Sequence, residues 1–255
     1  MKEEIVTLTE ENLHKYRTFC GLSGRYLEGN SKKTERLKDR LREGLRYKIY
    51  QVNGHKAGFI EYIPGEYAWR GVNAKGYLFI HCLWVIGKNK GHGYGRKLLE
   101  ACLEDAKDYH GVAVVVSKTH WLPTPKIFLK NGFEVVDHAP PSFDLLVRRN
   151  SANAPLPRFK KNWYRAKKYP NGLTFLKSAQ CPYMYVMDEG IRQIGRDLNI
   201  PINIVQLKTA REAQNLPCAY GVMALYYNGE LLTYHPTNRK QIVELLEAKM
   251  VSSMR

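Results

Sequence analysis

A chain of 255 residues, 44% hydrophobic and 25% charged, is long for one compact core and holds no apolar run of membrane-spanning length. Its formal net charge of +16 asks for an anionic partner or a solvated basic surface; nucleic acid, an acidic membrane surface and a polyphosphate cofactor are the candidates. The five cysteines are odd in number and scattered, with no CxxC pair, which excludes a disulfide framework and a thiolate zinc site; Cys82 and Cys102, set in apolar runs, read as small core residues.

The opening MKEEIVTLTE places acidic residues where a secretory signal needs an apolar core, so a cytoplasmic protein is expected. Residues 4–9 read as a strand, followed by a helix from about Glu10 to Thr18. Leu37, Leu41 and Leu45 mark one stripe of a charged helix over 31–45. Tyr47–Val52, the pair Asn53-Gly54 and Ala57–Ile63 form a hairpin with a tight turn. A strand over 76–86 leads through a glycine-rich loop into a helix of roughly Tyr94–Ala106. A buried strand Val112–Val116, a short helix near Pro125–Lys130 and strands around Phe133–Val136 and Phe143–Val147 follow. The pattern is α/β with a mixed sheet.

From Arg148 to Lys168 the chain turns basic, with two prolines and no acidic residue, as a boundary would. A second strand–helix–strand series begins at Leu173. The expected organisation is a domain over 1–150, a basic linker over 151–171 and a second α/β domain over 172–255.

Lys90-Gly91-His92-Gly93-Tyr94-Gly95-Arg96 is the most informative segment. Glycines let backbone N–H groups approach and turn toward a ligand, and a helix N-terminus favours phosphate. A lone GxGxG also suits a flexible turn before a helix. Its context is more specific: LFIHCLWVIGKN, KGHGYG, RKLLEACLEDA, VAVVV and KIFLKNGFEVV occur in this order. Together they resemble the GNAT acyltransferase superfamily over about residues 1–147. That family binds the CoA pyrophosphate with an Arg/Gln-x-x-Gly-x-Gly/Ala loop, here Lys90, Gly93 and Gly95, and carries a later signature ending in Gly-Phe, here Gly132-Phe133. The GxGxG spacing and the hairpin before it disfavour a dinucleotide-binding βαβ unit.

The resemblance implies acetyl-CoA as co-substrate, no metal, and attack of a neutral amine on the thioester. Cofactor contacts are then expected from Leu83, Trp84 and Val85 on the splayed strand and from Lys90, Gly91, His92, Gly93, Tyr94, Gly95 and Arg96. A backbone N–H near Leu83 to Val85 would stabilise the oxyanion. His81 is the first choice for general base, because imidazole titrates near working pH, with Glu61 in reserve and His120 third; each also suits an ordinary structural place. The family's tyrosine acid is replaced by Phe128, and Tyr94 is the nearest substitute in sequence.

Residues 172–250 look like a thioredoxin or glutaredoxin fold. Cys181-Pro182-Tyr183-Met184 matches a CPYC-type site whose resolving cysteine is Met184, and Met223 stands at the cis-proline position. Dithiol exchange within the motif cannot close; a reactive Cys181, or a pairing of Cys181 with Cys218, stays open beside a redox-dead fold kept as a lid or docking surface. The joined domains resemble YoaP-like proteins across nearly the whole chain. The alternatives to an N-acyltransferase are a thiol-redox protein and a non-catalytic CoA-binding protein. Phe159, Trp163 and Tyr164 would suit nucleic-acid stacking, but aromatic residues at a junction more often pack domains together, so nucleic acid is disfavoured as a partner. The acceptor, to which Glu61, Glu66, Tyr67 and Trp69 are candidate contacts, ranges from small amines and amino acids to antibiotics and protein N-termini.

Overall fold

The computed structural model describes residues 2–16, 18, 26–117 and 121–253. Strand β1 (Glu3–Thr7) precedes helix α1 (Leu27–Arg42), and β2 (Arg46–Val52) and β3 (His55–Pro64) form a hairpin. The hairpin turns at Asn53 and Gly54, both with positive φ (50° and 77°), as its two-residue loop requires. Then come β4 (Val72–Asn73), β5 (Leu78–Val85), α2 (Tyr94–Asp105), β6 (Gly111–Ser117), α3 (Pro125–Leu129), β7 (Glu134–Ala139) and β8 (Phe143–Arg149). Seven of these strands make one sheet in the order β1-β2-β3-β5-β6-β8-β7, antiparallel except at β5–β6.

The expected helix over Glu10–Thr18 does not form; residues 10–15 are turns. Thr9 and Asn12 exchange side-chain to backbone hydrogen bonds (2.9 and 3.3 Å), and Asn12 also donates to the Thr7 carbonyl, which competes with a helical ladder. Helix α1 ends at Arg42 rather than at residue 45, because Gly44 takes φ +87° and the Leu45 N–H turns back to the Arg40 carbonyl.

The basic stretch expected as a linker holds β9 (Arg158–Phe159), which pairs with β4, and a 3-10 turn over Trp163–Lys168. Phe159 is buried, which removes it as a stacking platform for nucleic acid. Beyond it lie β10 (Leu173–Lys177), α4 (Tyr183–Leu198), β11 (Ile202–Gln206), α5 (Ala210–Gln214), β12 (Met223–Tyr227), β13 (Glu230–Thr233) and α6 (Arg239–Ser253). Their sheet has the order β11-β10-β12-β13, parallel only between β10 and β11, with a turn at Asn228-Gly229. None of the described helices is long and apolar enough to cross a membrane.

The large sheet is covered on both faces. Val112, Val114, Val116 and Leu146 pack with Leu98, Leu99 and Cys102 of α2. Ala113, Val115, Leu145 and Val147, one residue out of phase, share a core with Phe175, Met184, Leu225 and other residues of the second half. Continuous apolar runs such as VAVVV are what a strand buried on both sides needs.

One close seam between the halves is at residues 69–71. The Gly71 N–H donates to the Ala219 carbonyl (3.1 Å). Gly221, at φ +70°, lies so close that an added Cβ would meet the Trp69 carbonyl at 2.5 Å and the Arg70 Cα at 2.6 Å. Gly221→Ala should therefore destabilise the protein by about 2 kcal/mol or more through the left-handed backbone and the clash. Urea unfolding monitored by fluorescence measures this; an unchanged midpoint would show that the seam yields freely.

Candidate active site

The pairing of β5 with β6 stops early. Only Leu78–Ile80 pairs with Val112–Val114, although β5 runs on to Val85 and β6 to Ser117. The two strands splay apart beyond Ile80, and backbone groups of β5 on that side are left without a ladder partner. On its other edge β5 carries a bulge: Tyr62 faces Ile80 and Glu61 faces Cys82, so His81 is the extra residue. The bulge resets the side-chain alternation. Leu78, Ile80 and Leu83 pack toward α2, whereas His81, Cys82 and Trp84 line a cavity on the opposite side.

Glu61 and His81 meet at this bulge. His81 Nδ1 lies 3.1 Å from Glu61 Oε1, and His81 Nε2 accepts the Trp69 backbone N–H at 2.9 Å. The second bond fixes the tautomer: Nε2 is an acceptor, so the proton sits on Nδ1 and is donated to Glu61. Burial pushes the imidazole pKa down to about 4 despite the nearby carboxylate, and His81 is neutral at pH 7. With both ring nitrogens engaged, the residue expected as first-choice base has no lone pair to offer an incoming amine.

Glu61 is fully buried. Burial alone would raise its pKa, but the His81 hydrogen bond, Lys33 (3.9 Å) and Arg36 (3.5 Å) outweigh that effect and hold it at about 2. Its Oε1 takes the His81 and Arg36 contacts, whereas Oε2 has no hydrogen-bond partner. Arg70 closes the node from the far side. Its guanidinium donates to the carbonyls of Trp69 and His81 (both 2.8 Å) and to Gln180 Oε1 of the second half (3.1 Å).

The glycine loop opens α2, as its sequence implies. Gly91 and Gly93 adopt φ +85° and +80°, and an added Cβ would meet nothing within 4 Å at either, so the backbone there stands open. Gly93 is the N-cap and supplies no side-chain cap, and the first helical bond runs from the Lys97 N–H to the Gly93 carbonyl. The N–H groups of Tyr94, Gly95 and Arg96 thus lack an intrahelical acceptor. Gly95 serves packing instead, giving room to Ile127 and Val85, 3.2 and 3.6 Å from where its Cβ would be.

Side chains around the loop are partly committed. Arg96 pairs with Glu100 (2.7 Å) on the surface, Lys90 lies 5.2 Å over the Trp84 ring, and His92 stacks on Tyr94. Tyr94 is buried against Tyr50, away from the cavity, and Phe128 is fully buried edge-to-face with Phe133. No proton donor therefore occupies the position of the family's tyrosine. Among the described residues no cluster of His, Cys, Asp or Glu could hold a metal. His120 and Cys20 lie outside the described residues.

The cavity, of about 520 Å³, has walls from both halves of the chain. The first half contributes Lys33, Phe59, Glu61, Arg70 and the β5 side chains; the second contributes Gln180, Cys181, Tyr183, Tyr220 and Val222. Cys82, expected to be buried, is half-exposed to this space, whereas Cys102 is in the core. Cys181 lies on the wall just before α4, and Cys218 is buried, its thiol pushed up to about 12 by burial; both are thiols. Met184 is a core side chain. Trp69 is buried under Arg36 and Arg40 (4.8 and 5.5 Å from its ring), while Glu66 and Tyr67 are exposed; none of the three lines the cavity. Lys33, Arg36 and Arg70 escaped sequence reasoning. The spacing of Lys33 and Arg36 beside Leu37 puts two cations on the buried side of α1, which was a usable signal; for Arg70 there was none.

Residues 11–122 match the acetyltransferase (GNAT) family, and residues 201–243 match the YoaP-like family. A Bacillus subtilis (strain 168) protein described as an uncharacterized N-acetyltransferase, YoaP, is 28% identical over 246 residues, spanning 94% of this chain and 97% of that protein. Similar solved structures include the PaiA N-acetyltransferase of Thermoplasma acidophilum with coenzyme A, at 18% identity and TM-score 0.43 over 58% of this chain and 99% of that one. The Campylobacter jejuni N-acetyltransferase PseH with acetyl coenzyme A is 13% identical with TM-score 0.42, over 59% of this chain and all of the other. These matches support an acetyl-CoA-dependent N-acetyltransferase, with a region over 11–122 similar to the acetyltransferase (GNAT) family and a YoaP-like match over 201–243.

Proposed function

We propose that the protein moves an acetyl group from acetyl-CoA to a primary amine by direct attack, in the cavity between its two halves, with Glu61 accepting the proton and His81 positioning Glu61. The observation that carries this reading is a buried, ionised carboxylate in a cavity wall beside the splayed strand, whose Oε2 has no hydrogen-bond partner and only Lys33 at 3.9 Å. The pantetheine arm lies along Leu83–Val85, where unpaired backbone groups meet its amides. The pyrophosphate rests on the N–H groups from Gly91 to Arg96, with Lys90 nearby.

The amine nitrogen attacks the thioester carbon, the C–S bond breaks, and the CoA thiolate leaves. A carboxylate held at about 2 is a relay rather than a store for the proton. The proton lost by the amine is the one the thiolate gains, so the reaction balances without an acid at Phe128. Lys33, Arg36 and Arg70 make the surroundings cationic, which favours the neutral amine that attacks.

We read the chain as an acyltransferase domain over 1–150, a basic connection over 151–171 and a thioredoxin-like domain over 172–255. The strand order β11-β10-β12-β13 with flanking helices supports the last of these. Its role here is to wall the acceptor cavity; Met184 in the core and the high-pKa thiol of Cys218 favour this over dithiol chemistry.

Glu61→Gln keeps shape and removes the proton acceptor. Turnover, followed as release of free CoA thiol, should fall by about 10²-fold or more while calorimetric acetyl-CoA affinity stays the same; a variant as fast as wild type removes Glu61 from the mechanism. Gly93→Val should weaken acetyl-CoA binding by about tenfold or more, since a β-branched residue resists φ +80°. Unaltered affinity would place the pyrophosphate elsewhere.

The native pKa values of His81 and Glu61, about 4 and about 2, lie below their ordinary values of 6.5 and 4.5. The unfolded state therefore binds more protons. The stability these groups supply is complete above pH 6.5 and drains as pH falls, by up to about 1.4 kcal/mol per pH unit for each proton. Tm should fall from pH 6.5 toward pH 4, and His81→Gln should flatten that slope. A flat Tm profile in the parent protein would contradict the buried, neutral imidazole.

A further inference from the structure

We infer that the acceptor carries a carboxylate beside its amine, and that the buried guanidinium of Arg70 recognises it. This rests on the acetyl-transfer reading and narrows it to one class: small amino acids with an apolar body.

Arg70 is 2% exposed, yet it lines the cavity. A guanidinium has five N–H donors. Three are used, by the carbonyls of Trp69 and His81 and by Gln180 Oε1, which leaves one Nη2 hydrogen and the Nε–H; the Nε–H is buried and has no acceptor. Among the described residues no carboxylate lies within ion-pair distance of Arg70. Tyr220, 5.0 Å from the guanidinium centre, offers only its ring face.

A tie between two carbonyls needs donors but no charge. Keeping a full charge out of water is costly unless a counter-charge arrives. The imbalance extends beyond Arg70: Lys33, Arg36 and Arg70 are all at most 6% exposed, against the single carboxylate of Glu61. An acceptor bearing only an ammonium would add a fourth cation. One bearing a carboxylate as well brings the missing charge, with its amine at Glu61 and its acid at Arg70. The CoA phosphates cannot serve, because their seat is the glycine loop beyond Val85. Phe59, Trp84, Trp121, Leu122, Tyr183 and Val222 give the remaining wall an apolar, aromatic character suited to the acceptor's body. A planar fork, rather than a lysine, is the side chain that grips a carboxylate by two bonds.

The test compares matched acceptors on the full-length protein: L-phenylalanine with phenethylamine and with L-phenylalaninamide, and L-leucine with 3-methylbutylamine. CoA thiol release gives kcat/KM for each. The free acids should be preferred by roughly 10- to 100-fold. Arg70→Gln should erase that preference, and Arg70→Lys should restore part of it. Equal rates within the pairs overturn the inference, as does a preference that survives Arg70→Gln. A uniform loss for every acceptor, with the preference intact, would make Arg70 an oxyanion or structural group instead. Should Arg70→Gln fail to fold, the matched pairs on the wild-type protein still decide. Acetyl-CoA binding with turnover of the plain amines alone sinks this inference and leaves acetyl transfer standing; no calorimetric acetyl-CoA binding sinks the acetyl-transfer reading itself.

Discussion

The carboxylate of Glu61, wholly out of water, sets terms for everything packed around it. A buried charge survives only with partners in place, and here they come from separate parts of the chain. Lys33 and Arg36 descend from α1, the His81 Nδ1–H comes from the bulge of β5, and the Trp69 N–H that orients His81 comes from the segment after β3. Moving any one of these uncovers a charge or strands a donor. The node is thus a restraint on the fold as much as a chemical group.

The same restraint joins the two halves. The Trp69–Gly71 segment bonds His81 on one side and lies against Ala219 and Gly221 on the other. Gln180 reaches Arg70, and Gln214 donates to the Glu66 and Ala68 carbonyls (2.8 and 3.0 Å). The second half of the chain thus contacts the residues beside the bulge, and its Cys181 and Tyr183 contribute to the cavity wall.

Much of this was legible from residue order. Asn53-Gly54 fixed a hairpin, the alternating and continuous apolar runs marked β2, β3 and β6, and KGHGYG before an amphipathic stretch located the open turn at Gly91 and Gly93. His81 and Glu61 stand out in the sequence as a base and its reserve, yet their relation was invisible: the bulge that makes them neighbours is a register shift, and nothing in LFIHCLWV announces it. That both ring nitrogens of His81 are engaged follows from one backbone N–H, that of Trp69, which no pattern could place. Thr9 and Asn12 show the opposite failure, where local side-chain bonds overrode a helical rhythm. Arg70 in AWRG reads as a surface loop residue until the second half is laid over it.

That overlay has a consequence during synthesis. When residue 149 has been made, the seven-stranded sheet is complete in sequence, but Phe79, Val115, Phe143 and Leu145 still await Phe175, Leu225 and Tyr234. At about 5–20 residues per second, the nascent chain carries that bare apolar face for several seconds. Over that interval the first half depends on burial partners that have yet to be made. The stretch at 151–171 supplies the first cover, because Ala154 and Phe159 join that same cluster before the later strands arrive.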